Sequence, residues 1–125
     1  MTTRTRRILI ADDEPHIGRI IQLRLEDRPY EVIIVKDGRA ALEFLEKNEP
    51  IDLVLLDIMM PYLSGLDVLA ALKQLPHRGG TPAIILTARG VETDRDRAIS
   101  LGAVDFFTKP FSLNKLRARI DEIFA

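Results

Sequence analysis

The sequence predicts an α/β domain in which five βα units wrap a parallel sheet. Three observations carry this expectation. Four apolar runs, 8–11 (ILIA), 32–35 (VIIV), 53–56 (LVLL) and 83–86 (AIIL), are continuous rather than alternating, as in strands covered on both faces. Segments with apolar residues at helical spacing separate them. The chain has 125 residues, 46% hydrophobic and 30% charged, which suits one core of ordinary size. The expected architecture is therefore a single doubly wound (βα)5 domain over residues 1–125. Its five strands take the order 2-1-3-4-5, with helices on both faces and right-handed crossovers.

The elements follow in order. Residues 1–6 read as a flexible tail, and Arg4, Arg6 and Arg7 as solvated charges. After the strand at 8–11, Pro15 suits a first helical turn, where a missing N–H costs nothing. Ile17, Ile20, Ile21 and Leu25 share one face of that helix, and Arg28-Pro29 closes it. Beyond the strand at 32–35, Ala41, Leu42 and Leu45 form the stripe of a second helix that stops before Pro50. Leu66, Leu69 and Leu72 mark a third helix after the strand at 53–56, ending near Pro76 and Gly79-Gly80. The fourth helix, 92–101, follows the strand at 83–86. It is mostly polar, with Ala98 and Leu101 inward and Gly102 at its end. A weaker fifth strand, 104–107, places Phe106 and Phe107 on opposite faces. Leu113, Leu116, Ile120, Ile123 and Phe124 give the last helix its apolar face.

Composition excludes several function classes. The net charge is -1, which argues against broad electrostatic binding to nucleic acid or a membrane surface. There is no cysteine, so thiol catalysis, disulfide scaffolds and iron–sulfur clusters are out. The two histidines, His16 and His77, do not make a histidine-rich metal site; His16 reads as a surface residue, and His77 carries no signal. No apolar run approaches the ~20 residues of a membrane span, and no signal peptide is evident, so the expected location is cytoplasmic.

In doubly wound sheets the chemistry sits at the carboxyl ends of the strands. Asp12, Asp13 and Glu14 follow the first run, Asp57 the third, Thr87 the fourth and Thr108-Lys109-Pro110 the fifth. With the first and third strands adjacent, Asp12 and Asp13 come beside Asp57. Clustered carboxylates repel unless one is protonated or a cation binds. Few carboxylates and room for water favour Mg2+ over Ca2+. Such a metal, Lys109 and the Thr87 hydroxyl could receive phosphoryl oxygens, with Asp57 as nucleophile, an arrangement suited to phosphoryl transfer. Blander roles stand beside these. Asp12 and Asp13 could cap the first helix. Lys109 could be solvated, Thr87 could satisfy a strand end, Met59 and Met60 could simply pack, and Gly65 could be a permissive backbone position.

Four segments in this order, IADDE at 10–14, LLDIMMP at 55–61 with Gly65, LTA at 86–88 and FFTKPF at 106–111, resemble the response regulator receiver domain, the chemotaxis-protein-like fold. The resemblance spans nearly the whole chain. It implies that Asp57 accepts phosphate from a sensor histidine kinase or a histidine phosphotransfer protein. It implies Mg2+ on Asp13, Asp57 and the Met59 backbone carbonyl, with Asp12 acting through a metal-bound water. Thr87 and Lys109 would hold phosphoryl oxygens, Phe106 would move inward with Thr87 as a switch, and Lys109-Pro110 would be cis. The domain would be no enzyme beyond its own phosphorylation and dephosphorylation.

Other readings fit less well. A flavin-phosphate site would need Ser, Thr and Gly where Asp12-Asp13-Glu14 stand. A haloacid-dehalogenase-like phosphatase would need an acid where Met59 stands. A pseudo-receiver, binding partners without phosphorylation, remains the alternative.

Output would pass through a face from Arg89 to the C-terminus, comprising the fourth helix, fifth strand and fifth helix, to an unknown partner or output domain. No output domain is expected within this chain. Related transcription regulators pair an arginine and a glutamate across that face in a dimer. Here Arg95 and Lys115 stand at those positions and repel, though Asp105 and Arg119 could pair. The expectation is a monomer, with at most a weak dimer on phosphorylation.

Overall fold

A computed structural model describes residues 5–88 and 92–125, apart from the Pro15 side chain. The elements alternate throughout: β1 (Arg6–Ala11), α1 (Pro15–Arg24), β2 (Tyr30–Val35), α2 (Gly38–Glu46), β3 (Leu53–Leu56), α3 (Gly65–Gln74), β4 (Ala83–Thr87), α4 (Glu92–Ser100), β5 (Asp105–Thr108) and α5 (Leu113–Phe124). All strand pairs are parallel, in the order β2-β1-β3-β4-β5, as the continuous apolar runs predict. The two faces of the sheet bury separate apolar layers. Leu9, Val54, Leu56 and Ile85 pack with Leu45, Leu69, Leu72 and Ala98 on one side. Ile8, Ile10, Leu55 and Ile84 pack with Ile21, Leu25, Leu116 and Ile120 on the other. A strand covered twice has no polar face to present, which is why these runs do not alternate.

Several boundaries differ from the expectation. β1 begins at Arg6, so the tail is shorter than 1–6, and residues 1–4, Arg4 among them, lie outside the described residues. Arg6 and Arg7 are not simply solvated. Arg6 reaches Asp52 at 3.9 Å, and Arg7 pairs with Glu31 at 3.3 Å and donates to the Pro50 carbonyl at 3.1 Å. α1 stops at Arg24 rather than Arg28, because Leu25 takes a non-helical conformation and the chain turns there. Ile20 is 42% exposed, so the inward stripe is Gly18 and Ile21 of α1 and Leu25 just past its end, with Ile17 half-buried. Gly18 turns that face toward β2, where a Cβ would press on the Ile34 side chain. α4 ends at Ser100 and β5 starts at Asp105, each one residue off the expectation. Arg89, the start of the expected output face, lies outside the described residues.

The sheet register positions the chemistry. Ala11 pairs with Leu56, and the Asp57 N–H donates to the Ala11 carbonyl at 3.0 Å, so Asp12 and Asp57 leave adjacent strands at the same level. Thr87 pairs with Thr108, and the Lys109 N–H donates to the Thr87 carbonyl at 2.7 Å, which brings Lys109 to the same rim.

Candidate functional site

Asp12 and Asp57 are buried at the ends of β1 and β3, while Asp13 is exposed beside them. One carboxylate oxygen from each lies within 4.8 Å of the others. Local backbone fixes the two buried groups. Asp12 Oδ1 accepts the Glu14 N–H at 2.9 Å, and Asp57 Oδ1 accepts the Met59 N–H at 3.1 Å. The capping reading of Asp12 thus holds only in part. It braces the chain ahead of α1, but the N-cap of that helix is Glu14, whose side chain makes no capping hydrogen bond.

The remaining oxygens of both buried groups face one cation. Lys109 Nζ donates to Asp12 Oδ2 at 2.8 Å, Asp57 Oδ2 at 3.1 Å and Glu14 Oε1 at 2.9 Å. Its side chain is largely buried, so it is not a solvated lysine. Burial pushes the Asp12 carboxyl up to about 6, and the nearby Asp57 charge adds to this against the Lys109 and Glu14 hydrogen bonds. For Lys109, burial disfavours the charge, but its hydrogen bonds to Asp12, Glu14 and Asp57 outweigh that and hold the ammonium above its ordinary range.

Three carboxylates meet one ammonium here and a fourth, on Asp13, stands beside them, and such an excess of negative charge favours a further cation. The donor set fits a hard divalent ion: oxygen ligands only, two buried and braced, and a third open to water. Asp13, Met59, Met60, Pro61 and Ser64 line an open depression on that side, leaving room for retained water.

Thr87 shares this rim, its carbonyl accepting the Lys109 N–H. Thr87 is wholly buried at the end of β4. The Lys109–Pro110 peptide is cis. Phe106 is buried against the layer containing Ile85 and Ala98, and Phe107 packs with the opposite layer. Met60 packs against the core, whereas Met59 is exposed, so its side chain is not the packing residue expected. Gly65 is required by crowding rather than by its dihedral angles, since a Cβ would fall on the Asp57 carbonyl oxygen. His16 is exposed. His77 does have partners: its Nε2 lies 3.0 Å from the carbonyls of both Leu45 and Lys47.

Two residues escaped the sequence reading. In the sequence Glu14 is only a third acid, yet it holds Lys109; the signal is an N-cap position occupied by a poor capping residue. Arg78 is buried, donating to the carbonyls of Leu45 at 2.9 Å and of Lys47 and Glu49 at 2.7 Å each. Nothing in the local pattern around Arg78 marks it.

The family model for the response regulator receiver domain matches residues 8–121. The transcriptional regulatory protein CpxR of Escherichia coli is 44% identical over 117 residues, covering 94% of this chain and 48% of CpxR. The chain spans about half the length of the curated relatives it matches. Among solved structures, a CheY-like response regulator receiver domain protein from Methanospirillum hungatei has a TM-score of 0.86 at 31% identity, covering 94% of this chain and 91% of that one. The Mn2+-bound form of the response regulator Rcp1 has a TM-score of 0.81 at 32% identity, with coverage of 94% and 91%.

Proposed function

The chain belongs to the response regulator receiver domain family, and from that footing we propose that Asp57 is its phosphoacceptor. The observation that supports this most is the shared ammonium. Lys109 Nζ lies 3.1 Å from Asp57 Oδ2 and 2.8 Å from Asp12 Oδ2, where it can meet the charge of an incoming phosphoryl group. The phosphoryl donor is a phosphohistidine of a sensor histidine kinase or phosphotransfer protein. An Asp57 carboxylate oxygen forms a bond to phosphorus as the P–N bond breaks and its electron pair returns to the imidazole.

Asp13, Asp57 and the Met59 carbonyl would hold Mg2+, and Asp12 would act on it through a water. When bound, this cation supplies the charge that lets a phosphoryl group approach an anionic pocket. Lys109 and the Thr87 hydroxyl receive phosphoryl oxygens. Thr87 then couples to Phe106 and so to the face formed by α4, β5 and α5. That face controls a partner protein or an output domain, and this domain itself binds no nucleic acid and no membrane. Among the described residues, no helix is long and apolar enough to cross a membrane; we place the protein in the cytoplasm. The domain is a signalling protein, and its only catalysis is its own phosphorylation and dephosphorylation.

Before phosphorylation it acts as a monomer. Arg95 and Lys115 are both exposed and carry like charge, and Asp105 already accepts from Arg119 Nε at 2.9 Å within the chain.

Acetyl phosphate with Mg2+ should add one acid-labile phosphoryl group to the wild-type chain and none to Asp57→Asn. Equal labelling of the two proteins would refute the assignment. Labelling of neither would favour the pseudo-receiver.

A further inference from the structure

Glu14 occupies an unusual place. It is the N-cap of α1, with extended dihedral angles, where Ser, Thr, Asp or Asn would accept a hydrogen bond from the first turn. It makes no such bond. Its carboxylate turns instead to Lys109, 2.9 Å from Nζ. An ammonium carries three protons. Those of Lys109 have three acceptors, on Asp12, Asp57 and Glu14. To donate to an incoming phosphoryl oxygen while Asp57 is still a carboxylate, Lys109 must release one of them.

The three acceptors are not equally easy to release. The side chains of Asp12 and Asp57 are 1% and 3% exposed, and freeing either would leave a buried carboxylate short of its cation. The Glu14 side chain is 54% exposed, so water can replace Lys109 around it. Asp12 is further tied by the Glu14 N–H, and Asp57 by the Met59 N–H. Only the Glu14 carboxylate has no other hydrogen bond among those found at the site.

We infer that Glu14 is a positioning residue that holds Lys109 in the unphosphorylated state, and that the incoming phosphoryl oxygen displaces it. Glu14 thereby sets how fast Asp57 accepts phosphate. This rests on the reading of Asp57 as phosphoacceptor. The side chain touches neither donor nor metal; it acts through Lys109.

The alternative is simple repulsion, in which the Glu14 charge slows the approach of any anionic donor. Glu14→Asp separates the two. It keeps the charge but loses reach, and an aspartate at an N-cap turns to the helix's own N–H groups. Release of Lys109 predicts that Glu14→Asp and Glu14→Ala both speed phosphorylation, by roughly two- to five-fold, the scale of one exposed ion pair. The gain should match for acetyl phosphate, a dianion, and phosphoramidate, which carries less charge.

The experiment measures the rate of phosphoryl incorporation with both donors in wild type, Glu14→Asp, Glu14→Ala and Asp57→Asn, alongside thermal melts. Equal acceleration by Glu14→Asp and Glu14→Ala with both donors, regardless of which variant melts higher, supports the inference. A wild-type rate in Glu14→Asp, or acceleration confined to acetyl phosphate, overturns it in favour of repulsion. Unchanged rates in both variants overturn it while leaving Asp57 as acceptor. Absent or Asp57-independent labelling of the wild type overturns both.

Discussion

Asp12 and Asp57 end neighbouring strands where little water reaches them, and two buried like charges are costly unless they share a cation. Lys109 supplies one such cation from the far side of the sheet. Asp13 differs from both in being open to solvent, and Lys109 makes no contact with it among the described interactions. It is therefore the carboxylate most ready to take a metal. Asp13→Asn should weaken Mg2+ binding by on the order of tenfold or more, with little change in the melting temperature. A Mg2+ titration followed by amide chemical shifts checks this, and an unchanged affinity would remove Asp13 from the site. At this scale the sequence was most legible. Acidic, hydroxyl and basic residues placed directly after apolar runs can be assigned to one rim from strand order alone. What it could not show was how the charges are shared. Glu14 had the same sequence signature as Asp13, yet one turns to Lys109 and the other to solvent.

Elements set how firmly that rim is held. The Gly65 N–H donates to the Ile58 carbonyl at 3.1 Å, and α3 begins pressed against the Asp57 backbone. Two effects compete in Gly65→Ala. Alanine favours a helix over glycine by about 1 kcal/mol. Against that, its Cβ would fall on the Asp57 carbonyl oxygen, a backbone atom in a packed strand end, and such overpacking costs about 1–3 kcal/mol. The clash should win, lowering the denaturant midpoint and slowing phosphorylation by displacing Asp57. A midpoint at or above wild type would contradict the crowding argument. The strands were legible because a doubly covered strand leaves an unbroken apolar run. The helix limits were less so. Ile20 shares helical spacing with Ile21 and Leu25 yet is exposed, because a buried Gly18 turns the helix toward Ile34. Arg78 was invisible for a different reason. Its partners are carbonyls in the last turn of α2 and just beyond it, more than twenty-five residues earlier in the chain, and no local pattern encodes them.

At the scale of the whole molecule, a polar clamp ties α5 back to the start of β2. Arg28 Nε donates to Asp121 Oδ1 at 3.2 Å, and the Tyr30 hydroxyl donates to the same oxygen at 2.6 Å. The Tyr30 ring stands edge-on to Phe124, with centroids 5.0 Å apart. The Arg28 hydrogen bond, with that of Tyr30, holds the Asp121 carboxyl below its ordinary value of 3.8. Burial and the Asp121 hydrogen bond push Tyr30 from 10.0 up to about 12. The signs follow from linkage. A depressed carboxyl contributes stability above its unfolded value and loses it as pH falls through the folded one. A raised phenol contributes fully below its unfolded value and loses it as pH rises through the folded one. The clamp is therefore at full strength between about pH 4 and 10. Asp121→Asn should flatten the acid limb of the stability curve. In a Tyr62→Phe background, it should also bring the tyrosinate absorbance midpoint down toward 10.0. A midpoint unmoved from about 12 would show that burial alone raises Tyr30.

All three scales serve one claim, that Asp57 accepts a phosphoryl group in a pocket built by Asp12, Asp13, Thr87 and Lys109. The most direct measurement is to phosphorylate the chain with Mg2+ and a small phosphodonor, reduce it with borohydride and map the peptides by mass spectrometry. Reduction converts an aspartyl phosphate to homoserine and so marks the acceptor. The account predicts homoserine at position 57 alone, dependent on the divalent cation. Homoserine at Asp12 or Asp13, or none at any position under conditions that label the intact chain, would contradict it.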